Sequence, residues 1–538
     1  MFELGGNRFL FSLLFFTFIF SNSSHGQPAI SFSKCFGGSS IEGSYSIIEK
    51  TSDHTFILVG ASESNDGDVQ TNYGGVDTWI INVDTSGQIL WSTVCGGSQN
   101  DIPEQVINTH DGGFAVVGYT LSSQVYAAGN NLNTIGQEDI WLMKFSANFS
   151  LQWQKCLGGL GTDVVSLGKG LIETSSHEFV VLGSSLSNDS LVTGNHGSWD
   201  YFIAKVDSSG NTEWQKSLGG TLSDIGYSLI ESIDHDYLLI GDSESNDGDV
   251  SGNHGGVDFW ILKVDTSGSI IWQKSIGGSN NDYGRCVCQG VDSLIVFAGT
   301  TNSNDSNVSG NHGSADIFLY RTNLNGNSIQ SKCYGGSGGE EIYSIKQRRD
   351  STFLFCGDSN SMNGDVTGVH GFAVDAWVVN IDDSLNIVWQ KSIGGSRDDI
   401  AIDLIESDST AIWIAGTAES NDGDVTTSNG TAGDFWVVEL NSSLNNNIES
   451  STTKKTFSVF PNPFNTSATI LGEDIFSGIE NNYLLFDQFG SDCTSRIKID
   501  LALDRIKISN INLLPGLYYL RVSLRQSHKE FSIKLIVY

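Results

Sequence analysis

The sequence predicts an all-β chain: a seven-bladed β-propeller closed by its own N-terminal strand, followed by a small C-terminal Ig-like β-sandwich. Three observations carry this. A Gly-Gly pair recurs seven times, about every 59 residues, opening at Gly37, Gly96, Gly158, Gly219, Gly277, Gly335 and Gly394. An Asp-x-aromatic triplet shares the period, at Asp77, Asp139, Asp200, Asp258, Asp316, Asp375 and Asp434. The two series are out of phase. No triplet precedes the first Gly-Gly and no Gly-Gly follows the last triplet, as expected where a ring is cut open into a linear chain.

The fourth repeat shows the blade most plainly. Tyr227 to Ile233 alternates and is followed by a turn at Asp234-His235; Tyr237 to Ile240 is a continuous apolar run. A loop over 243–257 leads to Asp258–Asp265, and Thr266-Ser267-Gly268 turns the chain into Ser269–Ile276, which ends at Gly277-Gly278. These are four short strands joined by residues of known turn chemistry. A solenoid would need distinct caps, which are absent. Residues 30–38 match the fourth strand of the repeat, while the last repeat stops after its third strand, Asp434–Asn441. The N-terminal strand therefore completes the last blade and removes a free edge. Trp91, Trp153, Trp214, Trp272 and Trp389 of the fourth strand, with the triplet aromatics, are expected to pack between blades, each burying roughly 150–250 Å². The triplet Asp is expected to fix the start of its strand through backbone hydrogen bonds, and Gly-Gly to supply a positive φ.

Composition agrees. The 538 residues include 62 Gly, 5 Pro, 29 Phe, 15 Tyr and 12 Trp, which favours short strands and glycine turns over disorder. No segment after the N-terminus has sustained helical periodicity. Net charge is -34, and residues 454–538 are slightly basic, so the repeats hold all the excess acid. Such a surface excludes nucleic acid and anionic membranes as partners and favours cations or cationic patches. The eight cysteines do not read as a disulfide framework. Cys35, Cys156 and Cys333 share one repeat position, where other repeats carry Ser217, Ser275 and Ser392, and equivalent positions lie far apart in a ring. Cys286-x-Cys288 has no second pair or His at metal spacing, so the cysteines read as packing residues.

At the N-terminus, Arg8 precedes an apolar run from Phe9 to Phe20, with a small-x-small pattern at Ser24 and Gly26. The run is too short for a membrane span and reads as a cleaved secretory signal over 1–26, the mature chain starting near Gln27. No later segment is long and apolar enough to span a membrane, so none is expected in the mature chain.

The loops from second to third strand exceed packing needs. Three read Glu-Ser-Asn-Asp-Gly-Asp-Val, starting at Glu63, Glu244 and Glu419, and shorter relatives occur at Asp189, Asp305 and Asp365. Strand order places six acidic loops on one rim; the second repeat departs, with no Asp in residues 121–137. Asp66, Asp68, Asp247, Asp249, Asp422 and Asp424 are candidate oxygen ligands for Ca²⁺. The same residues equally make Asx-turns without any ion. His196, His254, His312 and His370 stand one per loop on separate blades and do not supply a zinc site. No Gly-x-Ser-x-Gly, His-Glu-x-x-His or phosphate-binding glycine loop is present. The turn Asp84-x-x-Gly87-x-x-x-Trp91, repeated at Asp207 and Asp265, resembles the Asp-box of sialidase propellers and the docking repeat of quinoprotein dehydrogenases. Both are blade-structural motifs, and the spacing here differs from the Asp-box.

After a polar linker at 442–456, residues 457–538 carry Pro461-Asn462-Pro463, then Gly516-x-Tyr518 running to Val522, then Lys534 in the last strand. Their order and spacing resemble the C-terminal sorting domain of the type IX secretion system (Por secretion system) of Bacteroidota. That resemblance implies export through the inner membrane, recognition of this domain by outer-membrane secretion machinery, and release or attachment at the cell surface. Residues 27–441 form the propeller; over 30–441 they resemble repeats often joined to such domains, a likeness that implies no defined activity. The expected function is a monomeric, exported or surface-displayed binding or scaffold module for a polysaccharide, a cation or a protein. The alternative is a secreted hydrolase or lyase with its active site at the axial mouth of the acidic loop face.

Overall fold

The computed structural model describes residues 27–127, 130–133, 137–166, 168–189, 191–426 and 433–441, and in the C-terminal region 458–460, 467–471, 481–487, 493–502, 505–510, 512–513, 516–524 and 529–537. The proposed signal at 1–26, the linker at 442–456 and Pro461 to Pro463 lie outside the described residues.

Seven antiparallel sheets, each built on four strands A to D, follow one another along the chain as a seven-bladed propeller. In blade 4, Asp224–Glu231 (A), Tyr237–Ser243 (B), Asp258–Val264 (C) and Ile270–Ile276 (D) pair in sequence order. Closure follows the expected route. Ala29–Phe36 pairs antiparallel with Asp434–Asn441, Cys35 opposite Trp436, and serves as strand D of blade 7. Strand A begins earlier than its apolar alternation implies, at Asp224 rather than Tyr227, because a buried carboxylate heads it.

The core lies between blades. Strands B and C of one blade and A, B and C of the next form each apolar layer, as where Leu182 and Ile203 of blade 3 meet Leu239 and Trp260 of blade 4. The triplet aromatics are all buried, Trp79, Phe202, Trp260, Phe318 and Trp377 completely so. The strand D tryptophans also pack on these layers, Trp389 buried and Trp91, Trp153, Trp214 and Trp272 partly so; Trp153 lies under the C–D turn of the next blade and donates its indole N–H to Ser208 O at 3.1 Å.

Two blades depart from the repeat. In blade 2 the loop without aspartate forms a hairpin, Gln124–Ala127 with Asn130–Asn133, that extends the sheet of blade 1 at Gly96 and Gly97. In blade 3 strand A is broken into Asp163–Val164 and Leu171–Glu173, with an insertion between that carries Lys169.

Beyond the propeller the chain divides into a second compact unit, the cut falling between Asn446 and Asn447. It contains one sheet of four strands, Ser458–Phe460, Ser467–Leu471, Arg505–Asn510 and Ile497–Ala502, and one of three, Asn481–Asp487, Gly516–Leu524 and Lys529–Val537. No helix among the described residues is long and apolar enough to cross a membrane.

Candidate functional site

The acidic loops dock on the Gly-Gly turns. Asp247 accepts from Thr221 N at 2.8 Å and Thr221 Oγ1 at 2.9 Å; Asp249 N donates to Gly219 O at 2.9 Å. Asp66 accepts from Ser39 N at 2.8 Å, Asp422 from Ser396 N at 2.8 Å, and Asp68 from Gly37 N at 3.2 Å. Asp424 N donates to Gly394 O at 2.8 Å. Each loop thus docks on the Gly-Gly turn that precedes its own blade, Asp249 and Asp424 also face a histidine of the preceding blade's loop (His196 Nε2 at 3.9 Å and His370 Nε2 at 3.4 Å), and the three pairs are not brought together. The loop histidines also pair with the triplet aspartate of their own blade: His254 N donates to Asp258 Oδ2 at 2.8 Å, with His254 Nδ1 2.7 Å from the same oxygen. Among the described residues, groups of three side chains with ligand atoms near enough to share a metal ion occur elsewhere, and none includes these six aspartates.

Beneath the loops lies a ring of buried carboxylates. Asp224, heading strand A, accepts from Gly220 N at 2.7 Å and Ser245 Oγ at 2.9 Å, and also from Ser243 Oγ. Burial pushes its pKa up to about 6, with the neighbouring Asp200 adding to the rise. The triplet aspartates Asp200, Asp258, Asp316 and Asp375 are fully buried, and in each Oδ1 has no hydrogen-bond partner. Gly219 shows why glycine is required between these groups. A Cβ there would stand 2.7 Å from Asp200 Oδ1 and 2.8 Å from Asp224 Oδ2. Close approach, rather than the expected positive φ, is the shared reason for Gly-Gly: only Gly37, Gly158 and Gly335 of the seven first glycines have one, at 155°, 133° and 159°.

The axial mouth on this face opens into a pocket of about 450 Å³ lined by Glu104, Tyr119, Tyr227, Arg285, Glu341 and Tyr343, among others. Glu104, Tyr227, Arg285 and Tyr343 hold the same position in strand A of blades 2, 4, 5 and 6, three residues after the buried carboxylate that heads each strand. The closing of the ring gathers them on one axis. Glu104 is buried, its Oε2 has no hydrogen-bond partner, and burial raises its pKa well above the usual carboxylate range despite Lys169. Arg285 Nη1 lies 3.1 Å from Asp242 Oδ2, and its guanidinium sits over the Tyr227 ring at 4.3 Å. Tyr343 Oη lies 3.0 Å from both Glu341 Oε2 and Asp358 Oδ2. One phenol proton cannot serve two carboxylates at once, so a second proton belongs in this group. Burial, then the Glu341 charge, pushes Asp358 up to about 7.

A buried network closes the channel below. Lys169 of blade 3 reaches Asp403 of blade 7 at 3.0 Å, and Asp403 also accepts from Ser46 Oγ at 2.8 Å and Ser344 Oγ at 2.9 Å. Burial alone would raise the Asp403 pKa; Lys169 and Lys346 outweigh it and hold the group at about 2. Past this plug the opposite mouth has a larger cavity, about 760 Å³, with an apolar wall that includes Leu171, Leu229, Ile230, Val287 and Ile345.

Sequence reasoning placed a pocket at that mouth but missed every residue in it. The signal was available as a column, because the strand A position that reads Tyr45, Glu104, Tyr227, Arg285 and Tyr343 breaks the repeat. Of the sorting residues, Gly516 and Tyr518 lie in one strand and Lys534 faces Tyr519 across to the next.

No protein-family model and no curated protein sequence matches the chain. Among solved structures it is similar to an α-L-arabinofuranosidase from Fusarium graminearum, at 8% identity and a TM-score of 0.34, over 76% of this chain and 98% of that one. It is also similar to PorZ, a surface component of the type-IX secretion system of Porphyromonas gingivalis, at 9% identity and a TM-score of 0.24, over 94% and 100%. A β-fructofuranosidase of Bombyx mori matches at 10% identity and a TM-score of 0.26, over 77% and 91%. Scores this low assign neither activity nor partner.

Proposed function

We propose that the chain is an exported or surface-displayed binding module whose axial pocket takes the end of a polyhydroxylated ligand, such as a glycan. The observation that carries this reading is the break in repeat symmetry at the axis. A buried carboxyl with a raised pKa (Glu104), phenols (Tyr119, Tyr343), a second acidic side chain (Glu341) and a guanidinium (Arg285) face one space of about 450 Å³. Such a mixture of donors and acceptors against aromatic faces suits sugar hydroxyls and pyranose rings. Calorimetry of the mature chain against neutral oligosaccharides tests it. Tyr343→Phe and Tyr119→Phe should weaken binding at least tenfold, while Asp66→Asn leaves it unchanged. The reverse pattern would move the ligand to the loops.

A second reading, a glycan hydrolase, is favoured by Glu104, a buried carboxyl whose Oε2 has no hydrogen-bond partner and whose pKa burial raises well above the usual carboxylate range, as suits a proton donor. Release of reducing ends over time, abolished in Glu104→Gln with binding retained, would establish it. Ca²⁺ at Asp66/Asp68, Asp247/Asp249 and Asp422/Asp424 would have to share the Asp66, Asp68, Asp247 and Asp422 carboxylates with the backbone donors described above; melting in Ca²⁺ against a chelator measures whether it does.

Export belongs to the same proposal. Residues 1–26 act as the signal, and 457–538, folded as an Ig-like sandwich, act as the type IX sorting domain through Pro461, Asn462, Pro463, Gly516, Tyr518 and Lys534. The sequence match supports this, as does the pairing of Gly516–Leu524 with Lys529–Val537. Fusion of 457–538 to an exported reporter in a host with that secretion system should place the reporter outside the cell; retention in the periplasm would sink the assignment.

A further inference from the structure

We propose that His110, Glu173 and His177 form a site for a transition-metal ion of the zinc class, clamped between blades 2 and 3 on the face opposite the axial pocket. The site rests on residues of the A–B turns and is independent of the axial reading.

Six of the seven junctions between blades on this face share one hydrogen bond. The backbone N–H of an A–B turn donates to the Glu or Gln that ends strand A of the next blade. His110 donates to Glu173 at 2.7 Å, Ser175 to Glu231 at 2.7 Å, Ile233 to Gln289 at 2.9 Å, Val291 to Gln347 at 2.8 Å, Arg349 to Glu406 at 2.9 Å, and Asp408 to Glu49 at 2.7 Å. The carboxylate or amide is therefore structural at these six; between blades 1 and 2, Asn108 Nδ2 instead donates to Glu49 O at 2.9 Å. What varies is the side chain of the donor and that of the left-handed residue closing the acceptor's own hairpin.

At four junctions the variable pair is Ser175/His235, Ile233/Ser293, Val291/Ser351 or Arg349/Thr410, none of which adds two metal ligands. At the junction of blades 2 and 3 the pair is two imidazoles. His110 Nδ1 lies 2.9 Å from Glu173 Oε2, and His177 Nδ1 lies 3.9 Å from Glu173 Oε1. One ligand atom from each residue falls within 4.8 Å of the others, and the imidazole centroids are 4.4 Å apart. A tetrahedral ion with bonds of about 2.0–2.2 Å needs donors roughly 3.3–3.6 Å apart, inside the span observed.

The ligands are held in place by the fold. Glu173 is the clamp residue, its side chain 8% exposed. His177, at φ 66°, is fixed by its N–H to Thr174 O at 2.9 Å. Two imidazoles and one carboxylate suit Zn²⁺, Cu²⁺ or Ni²⁺ rather than Ca²⁺. Both rings are half-exposed and border a pocket of about 610 Å³ beside Trp153 and Lys144, so the remaining coordination positions face solvent or an added ligand. The equivalent group at the blade 7/1 junction, Glu49, His54 and Asp408, offers one imidazole and serves as an internal control.

The test is competition for Zn²⁺ between a chromophoric chelator and the metal-stripped full chain, with visible absorption of the Co²⁺ form. Two variants borrow residues that other blades use at the same positions: Glu173→Gln retains the clamp as in Gln289 and Gln347, and His177→Ser matches Ser293 and Ser351. Wild type should take up one ion and gain thermal stability with it. Each variant should lose at least tenfold in affinity together with the tetrahedral Co²⁺ bands, while His54→Ser changes neither. Unchanged affinity in both variants, an equal loss in His54→Ser, or displacement of Zn²⁺ by comparable Ca²⁺ would each overturn the proposal.

Discussion

Asp358→Asn should stabilise the propeller above neutral pH and do little in acid. Asp358 is nearly fully buried beside Glu341, Glu340 and Asp398, with Tyr343 Oη at 3.0 Å as its hydrogen-bonding neighbour, and its pKa stands at about 7 against 3.8 unperturbed. Because the folded value is the higher one, the native state binds the proton more tightly than the unfolded chain. Its contribution to stability is fully present below about pH 3.8 and is lost as pH rises through about 7. Each pKa unit is worth about 1.4 kcal/mol, so roughly 2–3 kcal/mol disappears between pH 5 and pH 8. Asn keeps the shape and an acceptor for Tyr343 but cannot ionise, so the variant escapes that loss. In a chain of this size, 2–3 kcal/mol is about 3 °C in Tm. Calorimetric melts of both proteins at pH 5 and pH 8 measure the change in their Tm difference, which removes most contributions from other titrating groups. A difference that stays constant between the two pH values would refute the assignment of a shared proton to the Tyr343 group.

Lys169→Met leaves Asp403 charged and buried without its principal counter-ion, and should cost about 3–5 kcal/mol, with much of the loss recovered in Lys169→Met/Asp403→Asn. Equal melting of single and double variants would show that the plug is held by packing alone. The folded pKa of Asp403 is the lowered one, about 2, so its contribution is present above about pH 3.8 and lost as pH falls through 2; Asp403→Asn should flatten that part of an acid-unfolding curve. Gly219→Ala drives a methyl between Asp200 and Asp224 at 2.7 and 2.8 Å and should cost about 1–3 kcal/mol by denaturant titration. A neutral result would mean that the two carboxylates are free to move apart.

The ring was legible because packing repeats. A buried indole or phenylalanine in strand C and a glycine squeezed between carboxylates are needed once per blade, so they recur and their offset reveals the closure. The carboxylates that head strand A were not legible. Asp224 and its equivalents look like loop residues, and their burial depends on partners such as Ser245, 21 residues on, and on the glycine before them.

The axial group was hidden for a different reason. Glu104, Tyr227, Arg285 and Tyr343 are separated by about 60 residues or more, and only the closing of the ring brings them together. Periodicity highlights what blades share, whereas a single axial site has to use what they do not. The loudest departure in the sequence, the blade 2 loop without aspartate, is a misleading one. Its hairpin extends the neighbouring sheet, and Val125 is buried there like Val69, Val250 and Val366 of the acidic loops. That break preserves a structural role by other means. The breaks at Glu104 and Arg285 have no such substitute, because blades 1, 4 and 6 carry tyrosines at the same register, with different hydrogen-bonding capacity. The same criterion singles out the junction of blades 2 and 3, where two imidazoles replace the serine, aliphatic and arginine side chains of other blades. In a ring held together by repetition, a change of chemical type at a position whose backbone role is constant is the most direct pointer to function.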